Sequence, residues 1–271
     1  MTFGRPDEQR SFVESHKLFF ERFPNLAATM NLAFVRTMTN SGLADAVVFY
    51  LGRLCTDDFN EILLLCGNGY GSGAMKLLRG LYERVVTGRH LHTHPDECRD
   101  FLDFYWINAH RVARAIEDVF GKGQISAAKV AELEAKRAEV KSRYMVTSCK
   151  KCGTKRLNYT WSKLDFVSMA RATGSTGKRL VDAYFLPMEQ AHSTAGAIGS
   201  RLKEKPDGTI TFDNESQRGL ADRALITGHN LMLDMLCLQR EHFGLVALDD
   251  PVAKCLKDFA EIWKRTEDQA Q

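Results

Sequence analysis

Several arginines in this sequence are followed five or six residues later by a histidine, a pairing whose chemistry suits phosphodiester cleavage. An imidazole can exchange a proton with a ribose 2′-hydroxyl or a leaving oxygen, and a guanidinium can stabilise charge that develops on the phosphate. The matching pairs are Arg10/His16, Arg84/His90, Arg89/His94 and Arg223/His229. Such short spacings also arise by chance, so the motif alone is a weak signal. Arg223/His229 is of most interest because it lies in a strongly apolar helix, where a hydrogen-bonded core histidine is the commoner explanation.

A second charged set lies on a helix predicted over roughly 73–93. Arg79 and Glu83 are four residues apart in it, so they share one face about a turn from each other and can form an ion pair. Large aliphatic residues recur along the same helix. If the charged face turns inward, an ion pair lies in a helical core, where both charges require partners.

The turn before this helix is rich in glycine and contains Gly69-x-Gly71-x-x-Ala74. This spacing satisfies the dinucleotide-binding fingerprint, which also requires a preceding strand, a βαβ unit and an acidic residue about 20 residues further on. No series of strands follows here. The pattern therefore favours a tight turn between two helices.

Two of the seven cysteines form a motif, Cys149-Lys-Lys-Cys152-Gly153, which is the knuckle of a zinc ribbon. A structural zinc site needs four ligands, and the sequence contains no second C-x-x-C or H-x-x-x-H pair. The other ligands would have to come from scattered residues such as Cys98 or His94, or from another subunit. A redox dithiol and a basic surface turn with two free thiols are the alternatives. Structural zinc at Cys149 and Cys152 remains a candidate.

The histidines at 90, 92 and 94 also look like metal ligands. On a helix, however, residues two apart point in nearly opposite directions, so only His90 and His94 share a face. These histidines are explained adequately as cationic side chains at a fraying helix end, where the helix dipole favours positive charge.

Helical periodicity dominates the whole chain and predicts the elements that must position these residues. We predict an all-α fold, a single helical bundle over 1–271 of about eight to ten helices. A small irregular or hairpin insertion is expected near 200–214, where a Pro-Asp-Gly turn occurs. Residues 126–160 are expected to form an exposed, projecting helix and the C-x-x-C turn, and 215–267 the C-terminal helices.

Two local signals predict where one helix ends and another begins. Pro24 is predicted to stop a helix that begins near Glu8. Thr56-Asp57-Asp58 is predicted to cap a short apolar helix after it, because such side chains accept hydrogen bonds from the first free backbone amides.

The amino-acid composition and net charge argue against some classes of function. The chain is 44% hydrophobic and 26% charged, which is typical of an ordinary soluble globular protein. A net charge of only +3 indicates no global basic field of the kind that announces nucleic acid. No apolar run approaches the roughly 20 residues of a membrane helix, and the N-terminal residues lack a signal peptide's apolar segment. We predict a cytoplasmic protein that does not bind a membrane.

Two blocks of the sequence carry a family resemblance. The first has the form A-x-x-L-x-R-x-x-x-E, followed by a proline and a phenylalanine, and the second carries a tryptophan, a tyrosine and a histidine next to a small residue. Their residues here are Ala74, Leu77 or Leu78, Arg79, Glu83, Pro95, Phe101, Trp161, Tyr184, His192 and Ser193. Over 57–199 the chain resembles a family of uncharacterised, mainly bacterial helical proteins. The resemblance implies an all-α bundle in which Arg79, Glu83, Tyr184 and His192 meet.

More distantly, the chain is similar to HEPN-like and abortive-infection proteins. This similarity implies a metal-independent ribonuclease or toxin of stress or phage defence. His192 would transfer protons, Arg79 would stabilise phosphate charge and Glu83 would orient Arg79, with Arg223/His229 as the fallback pair. RNA is then the substrate, no cofactor is required for the chemistry, and a homo-oligomer and a defence-system protein are candidate partners.

The alternative hypothesis is a non-catalytic helical module that senses a ligand or binds a protein. In it, Arg79, Glu83 and His192 form a buried structural network. Arg79 and His192 lie on different predicted helices, which departs from the strict HEPN spacing.

Overall fold

The computed structural model describes residues 5–38, 41–149 and 151–264, and it is mostly helical. The described residues form eleven α-helices and two small antiparallel sheets of two strands each. The predicted all-α class is therefore confirmed. By backbone contacts the chain divides into two compact units, Met1–His92 with Ala170–Gln271, and Thr93–Met169.

The elements follow one another with short connections. The α-helices are α1 (Pro6–Ser15), α2 (Lys17–Phe34), α3 (Leu43–Gly67), α4 (Gly71–Thr93), α5 (Cys98–Phe120), α6 (Ala127–Val140), α7 (Phe166–Ala172), α8 (Leu186–Ala191), α9 (Ala195–Gly199), α10 (Arg218–Phe243) and α11 (Asp249–Ile262). The strands are β1 (Met145–Thr147), β2 (Lys155–Leu157), β3 (Leu202–Glu204) and β4 (Ile210–Phe212). Short 3-10 helices cover Pro95–Glu97, Lys141–Tyr144, Thr176–Arg179 and Val246–Leu248, and a π-helical turn covers Val181–Phe185.

The core of the first unit is formed by α3, α4 and α10. Helix α3 packs along α10, and α1, α2 and α11 cover this pair. Large side chains on the three core helices are fully buried, among them Phe59, Ile62, Met75, Leu78, Leu81, Tyr82, Leu91, Leu225, Leu231 and Met232. Removing each such side chain from water contributes about 1.5–3 kcal/mol.

The glycine-rich segment is a tight turn between α3 and α4, as predicted. Gly69 has a φ of +76°, which a side chain would strain. At Gly71 a Cβ atom would lie 2.3 Å from the carbonyl oxygen of Gln217 and 2.7 Å from the amide nitrogen of Ala221. These glycines therefore let α4 begin directly against α10, and no strand precedes them in this part of the described chain.

Two predicted helix ends are wrong. Helix α2 continues through Pro24, and the chain turns at His16 instead, whose φ of −115° and ψ of 32° leave the helical region. Helix α3 runs uninterrupted through 56–58. Asp58 is not a cap: it is buried and forms an ion pair with Arg84. Burial raises the pKa of Asp58 to about 6, against the opposing effect of the Arg84 charge.

The second unit has its own small core. Phe104 and Ile107 of α5 pack with Val140 and Tyr144, and Trp161 lies against this cluster. The helix predicted as exposed is α6, which packs on α5 and buries Leu133 and Val140. Its remaining surface is largely exposed, in keeping with its few large apolar residues.

The insertion predicted near 200–214 is a hairpin. Strands β3 and β4 pair antiparallel, with Leu202 opposite Phe212 and Glu204 opposite Ile210. The C-terminal helices are α10 and α11, and the predicted positions 265–267 lie outside the described residues. Among the described helices, none combines the length and apolar character needed to cross a bilayer.

Candidate functional site

Arg79, Glu83, Tyr184 and His192 meet at one point on the first unit, and we call this group the Arg79–His192 centre. The Nη1 atom of Arg79 lies 3.0 Å from the Nε2 atom of His192. Its Nε atom donates to the Glu83 Oε1 atom at 2.9 Å. The guanidinium also lies over the Tyr184 ring, with 4.8 Å between Cζ and the ring centroid. The structure therefore brings together the four residues that the resemblance singled out.

The centre lies at the surface and not in the core. Leu78 and Tyr82 turn into the core of the unit, whereas the side chains of Arg79 and Glu83 are 23% and 42% exposed. His192 is exposed at the end of α8. The network of the alternative hypothesis is present but is not buried, so an ion pair here contributes at most about 1 kcal/mol to stability.

The contact between Arg79 and His192 defines which atom donates and which accepts. A guanidinium has only donors, so Nε2 of His192 must accept this hydrogen bond. An unprotonated ring nitrogen is what a general base needs, and Nε2 becomes available once a substrate group replaces Arg79 as its donor.

The segment 176–192 positions Tyr184 and His192, and it is held to the core by polar contacts. The Tyr82 hydroxyl donates to the Thr176 carbonyl oxygen at 3.2 Å, and the Thr176 hydroxyl donates to the Asp234 carboxylate. The π-helical turn Val181–Phe185 follows and carries Tyr184. Such π-turns occur frequently at functional sites.

A polar cluster on α4 and α10 anchors the start of this segment. The Arg89 Nε atom donates to the Asp234 Oδ1 atom at 2.9 Å, and its Nη1 atom donates to the Glu241 Oε2 atom at 2.5 Å. Burial disfavours the Arg89 charge, but these two carboxylates outweigh it and raise the pKa of Arg89. The cluster is part of the wall of an open cavity of about 340 Å³, which also includes Arg179 and Asn230.

The fallback pair is not brought together. His229 is 3% exposed and lies among Phe19, Phe59 and Phe259, while Trp263 Nε1 donates to its Nδ1 atom at 3.2 Å. Burial lowers the pKa of His229 to about 4. Arg223 is exposed, and six residues of helix turn through about 240°, so the two side chains leave α10 on different sides. His229 is thus a hydrogen-bonded core histidine.

The arginines of the other three pairs are engaged by carboxylates. Arg10 lies 3.8 Å from Asp7, Arg84 pairs with Asp58, and Arg89 pairs with Asp234 and Glu241. In the described residues these three arginines thus have carboxylate partners, whereas Arg79 contacts His192 as well as Glu83.

The sequence analysis missed a hydrogen-bonded group of three titratable side chains at the end of α4. The Nδ1 atoms of His92 and His242 are 2.9 Å apart, and His242 Nε2 lies 3.0 Å from Asp45 Oδ1. Burial, and then the neighbouring His242, lower the pKa of His92. The predicted fraying end is wrong, since His90 is also buried. No local signal could reveal this group, because its three residues come from three separate helices.

The C-x-x-C motif lies at the tip of the hairpin formed by β1 and β2. Thr147 pairs with Lys155, and the turn between them holds Cys149 and Cys152. Across the described part of the chain, no group of three or more histidine, cysteine or acidic side chains is placed to hold a metal ion. Cys98 and His94 therefore do not complete the predicted zinc site.

Fold and site together define an all-α protein with an arginine–histidine centre at its surface. The chain belongs to a family of unknown function, DUF5677, whose profile matches residues 45–210. Neither a curated protein nor a solved structure matches the chain. The predicted membership of an uncharacterised family is confirmed. The matched region contains the whole Arg79–His192 centre and ends before Arg223 and His229.

Proposed function

We propose that this protein cleaves RNA at the Arg79–His192 centre without a metal ion in the chemistry, as a HEPN-like ribonuclease or toxin of stress or phage defence. The observation that carries the proposal is the 3.0 Å contact between Arg79 Nη1 and His192 Nε2 at the protein surface. The proposal is supported because a proton acceptor and a cation at this separation can both reach one phosphodiester.

The reaction follows from the roles of the two side chains. The RNA phosphate takes hydrogen bonds from Arg79, and the ribose 2′-hydroxyl donates to His192 Nε2 in place of Nη1. Nε2 removes the hydroxyl proton as the 2′ oxygen attacks phosphorus. The bond to the 5′ oxygen then breaks, and the imidazolium returns the proton to that leaving oxygen. The products are a 2′,3′-cyclic phosphate and a 5′-hydroxyl.

Glu83 and Tyr184 are positioning residues in this proposal. Glu83 holds the Nε side of the guanidinium, and the Tyr184 ring supports its face. Among the described residues the hydrogen bonds of Arg79 use Nε and Nη1, which leaves Nη2 for a phosphate oxygen. A donor held in advance needs little reorganisation as charge develops on phosphorus.

The surroundings of the centre suit a polymeric anion. His192 is exposed, so a long substrate can reach it. The segment leading to Tyr184 carries the exposed or half-exposed cations Arg171, Lys178 and Arg179. Such side chains bind phosphates along a nucleic-acid backbone without reading its sequence.

The test is cleavage of total RNA and of tRNA by the purified protein in EDTA, with the variant His192→Gln alongside. Glutamine can accept the hydrogen bond from Arg79 but cannot transfer protons. We expect the parent protein to produce 2′,3′-cyclic phosphate ends and the variant to produce none. Equal cleavage by both would remove His192 from the chemistry, and no cleavage by either across several RNAs would overturn the proposal.

A specific observation favours a second function, a ligand-sensing module. The cavity of about 340 Å³ opens beside the segment that carries Tyr184 and His192, and its wall includes Arg179, Asn230 and Asp234. A small polar ligand there would contact the 3-10 turn Thr176–Arg179 and could shift the residues that follow it. The Arg79–His192 centre would then be a clasp for that segment.

Native mass spectrometry of the purified protein tests this second function directly. A retained small molecule that is lost in Asn230→Ala, together with the absence of RNA cleavage, would favour the sensing module. Under this function Arg79→Ala is expected to lower the melting temperature, whereas the catalytic proposal places its main effect on activity.

A further inference from the structure

The hairpin between β1 and β2 is closed by backbone hydrogen bonds around its two cysteines. The Ser148 amide donates to the Thr154 carbonyl oxygen at 2.8 Å, and the Gly153 amide donates to the Cys149 carbonyl oxygen at 3.0 Å. Gly153 has a φ of +69°, a conformation that favours glycine. This closure returns the chain so that Cys149 and Cys152 lie at one tip.

The two thiols are placed to act as ligands. Cys152 is exposed and Cys149 is half-buried, and the Cys152 Sγ atom lies 2.9 Å from the Thr154 hydroxyl. Hydrogen bonds from Thr154 and then Cys149 lower the pKa of Cys152 to about 7. Zinc binds the thiolate form of cysteine, and one hairpin turn presents both sulfur atoms.

Two thiolates do not complete a structural zinc site. Zinc in such sites takes four ligands in a tetrahedral arrangement, and four cysteines are a common set. Within 5–38, 41–149 and 151–264, no third histidine, cysteine or acidic side chain joins Cys149 and Cys152. The missing ligands must come from outside this arrangement, and a second copy of the same hairpin offers two of the required kind.

We infer that two copies of this chain share one zinc ion, each supplying Cys149 and Cys152. A zinc ion with four thiolates carries a net charge of −2. The hairpin supplies cations near it, since Lys151, Lys155 and Arg156 are all exposed beside the two cysteines. Without metal, the same cations on two hairpins repel each other, so zinc both bridges the copies and compensates the charge that would keep them apart.

This inference is independent of the proposed ribonuclease activity, because the zinc ion is structural and takes no part in RNA cleavage. It has its own readouts, which are the metal content and the oligomeric state of the full chain. The variant Cys152→Ser removes one ligand at an exposed position. Cys237→Ser is a matched control, since Cys237 is a half-buried thiol on α10, outside the hairpin.

The experiment is a titration of the metal-free full chain, kept reduced, with cobalt(II), followed by the visible absorption of tetrahedral cobalt thiolates. We expect the absorption to stop rising at one cobalt ion per two chains. Elemental analysis should find one zinc ion per two chains, and light scattering should show a dimer that a chelator converts to monomer. Cys152→Ser should lose the absorption and the dimer, and Cys237→Ser should keep both.

Two results would overturn the inference. An end point at one metal ion per monomeric chain would mean that one chain supplies all the ligands. Absence of metal binding, with a mass decrease of two hydrogens on mild oxidation that Cys152→Ser abolishes, would identify a redox dithiol instead.

Discussion

Two arginine–histidine pairs of the first unit differ in how their histidines are exposed to solvent. Arg79 and His192 are 113 residues apart in the chain, yet they are joined by a 3.0 Å hydrogen bond at the surface. Arg223 and His229 are six residues apart on one helix, yet the first is exposed and the second is 3% exposed among aromatic rings. Distance along a helix is therefore a poor guide to whether these two groups can act on one substrate.

The difference also decides what each histidine can do. His192 is exposed to solvent, so a substrate hydroxyl can approach its Nε2 atom and replace Arg79 as the hydrogen-bond donor. His229 has lost its water, and burial holds its pKa near 4, so it stays neutral at neutral pH. Trp263 already occupies its Nδ1 atom. The first environment suits proton exchange and the second suits packing.

The largest effect is expected from Arg79→Ala, with Arg223→Ala as the comparison. Arg79→Ala removes the group proposed to stabilise the phosphate charge, and the loss of one such donor typically lowers kcat by about 10²–10³. Arg223→Ala should leave cleavage unchanged, because the described contacts of the centre do not include this side chain. Initial rates on one labelled RNA measure both. Similar losses in the two variants would contradict the distinction.

A second prediction concerns the response of the His229 region to acid. The pKa of this histidine is about 4 in the folded protein, against its usual 6.5. Between these values the unfolded chain binds a proton that the folded chain does not. Stability should therefore fall as the pH falls from 6.5 toward 4, by about 3 kcal/mol in total.

Urea unfolding at several pH values measures this loss. His229→Gln does not titrate, so its stability should change less across the same range, although its stability at neutral pH will be lower. An equal slope for the parent protein and the variant would mean that other groups cause the acid sensitivity.

A smaller effect is expected from Glu83→Gln at the surface centre. The amide oxygen can still accept from Arg79 Nε, but the charge that holds the guanidinium is lost. We expect about a tenfold drop in kcat, which corresponds to about 1.4 kcal/mol, with KM for RNA unchanged or lower. Steady-state kinetics separates these constants. The melting temperature should move little, since the ion pair is partly exposed, and a large decrease would favour the structural clasp.

The sequence was a good guide wherever local patterns determine structure. Helical periodicity predicted the all-α class, and the Pro-Asp-Gly turn predicted the hairpin of β3 and β4. The glycine-rich turn was also predicted, because the dinucleotide-binding alternative requires a series of strands and the sequence around Gly69 and Gly71 indicates helices. The association of Arg79 with His192 came from the family resemblance, since no local rule connects positions so far apart.

The failures arise where tertiary contacts override local signals. Thr56-Asp57-Asp58 has the residue types of a cap, but Asp58 pairs with Arg84 inside one continuous helix. Pro24 was predicted to end a helix, yet the break lies at His16, where a non-helical residue allows the imidazole to contact both Phe12 and Asp222. Such partners are brought close only by the fold.

His16 gives the smallest predicted effect. Its contribution to stability should change with pH in the opposite direction to that expected for His229. Its Nδ1 atom lies 3.0 Å from the Phe12 carbonyl oxygen, and its Nε2 atom lies 3.2 Å from the Asp222 carboxylate. Both neighbours are acceptors, so the charged ring, which has two donors, satisfies this site. Burial opposes the charge, but the Asp222 and Phe12 hydrogen bonds outweigh it and raise the pKa of His16 above its usual 6.5. Glu8 and Arg218 line the same small cavity and are paired with each other.

Since the folded protein holds this proton more tightly than the unfolded chain, the contribution of His16 is complete below pH 6.5 and is lost as the pH rises through the higher folded value. Asp222 is half-exposed, so the loss should be less than about 1 kcal/mol. Subtracting the unfolding free energies of Asp222→Asn from those of the parent protein isolates this contribution at each pH. A difference that grows with rising pH would show that His16 is neutral in the folded state, and the two histidines would then share one response to pH.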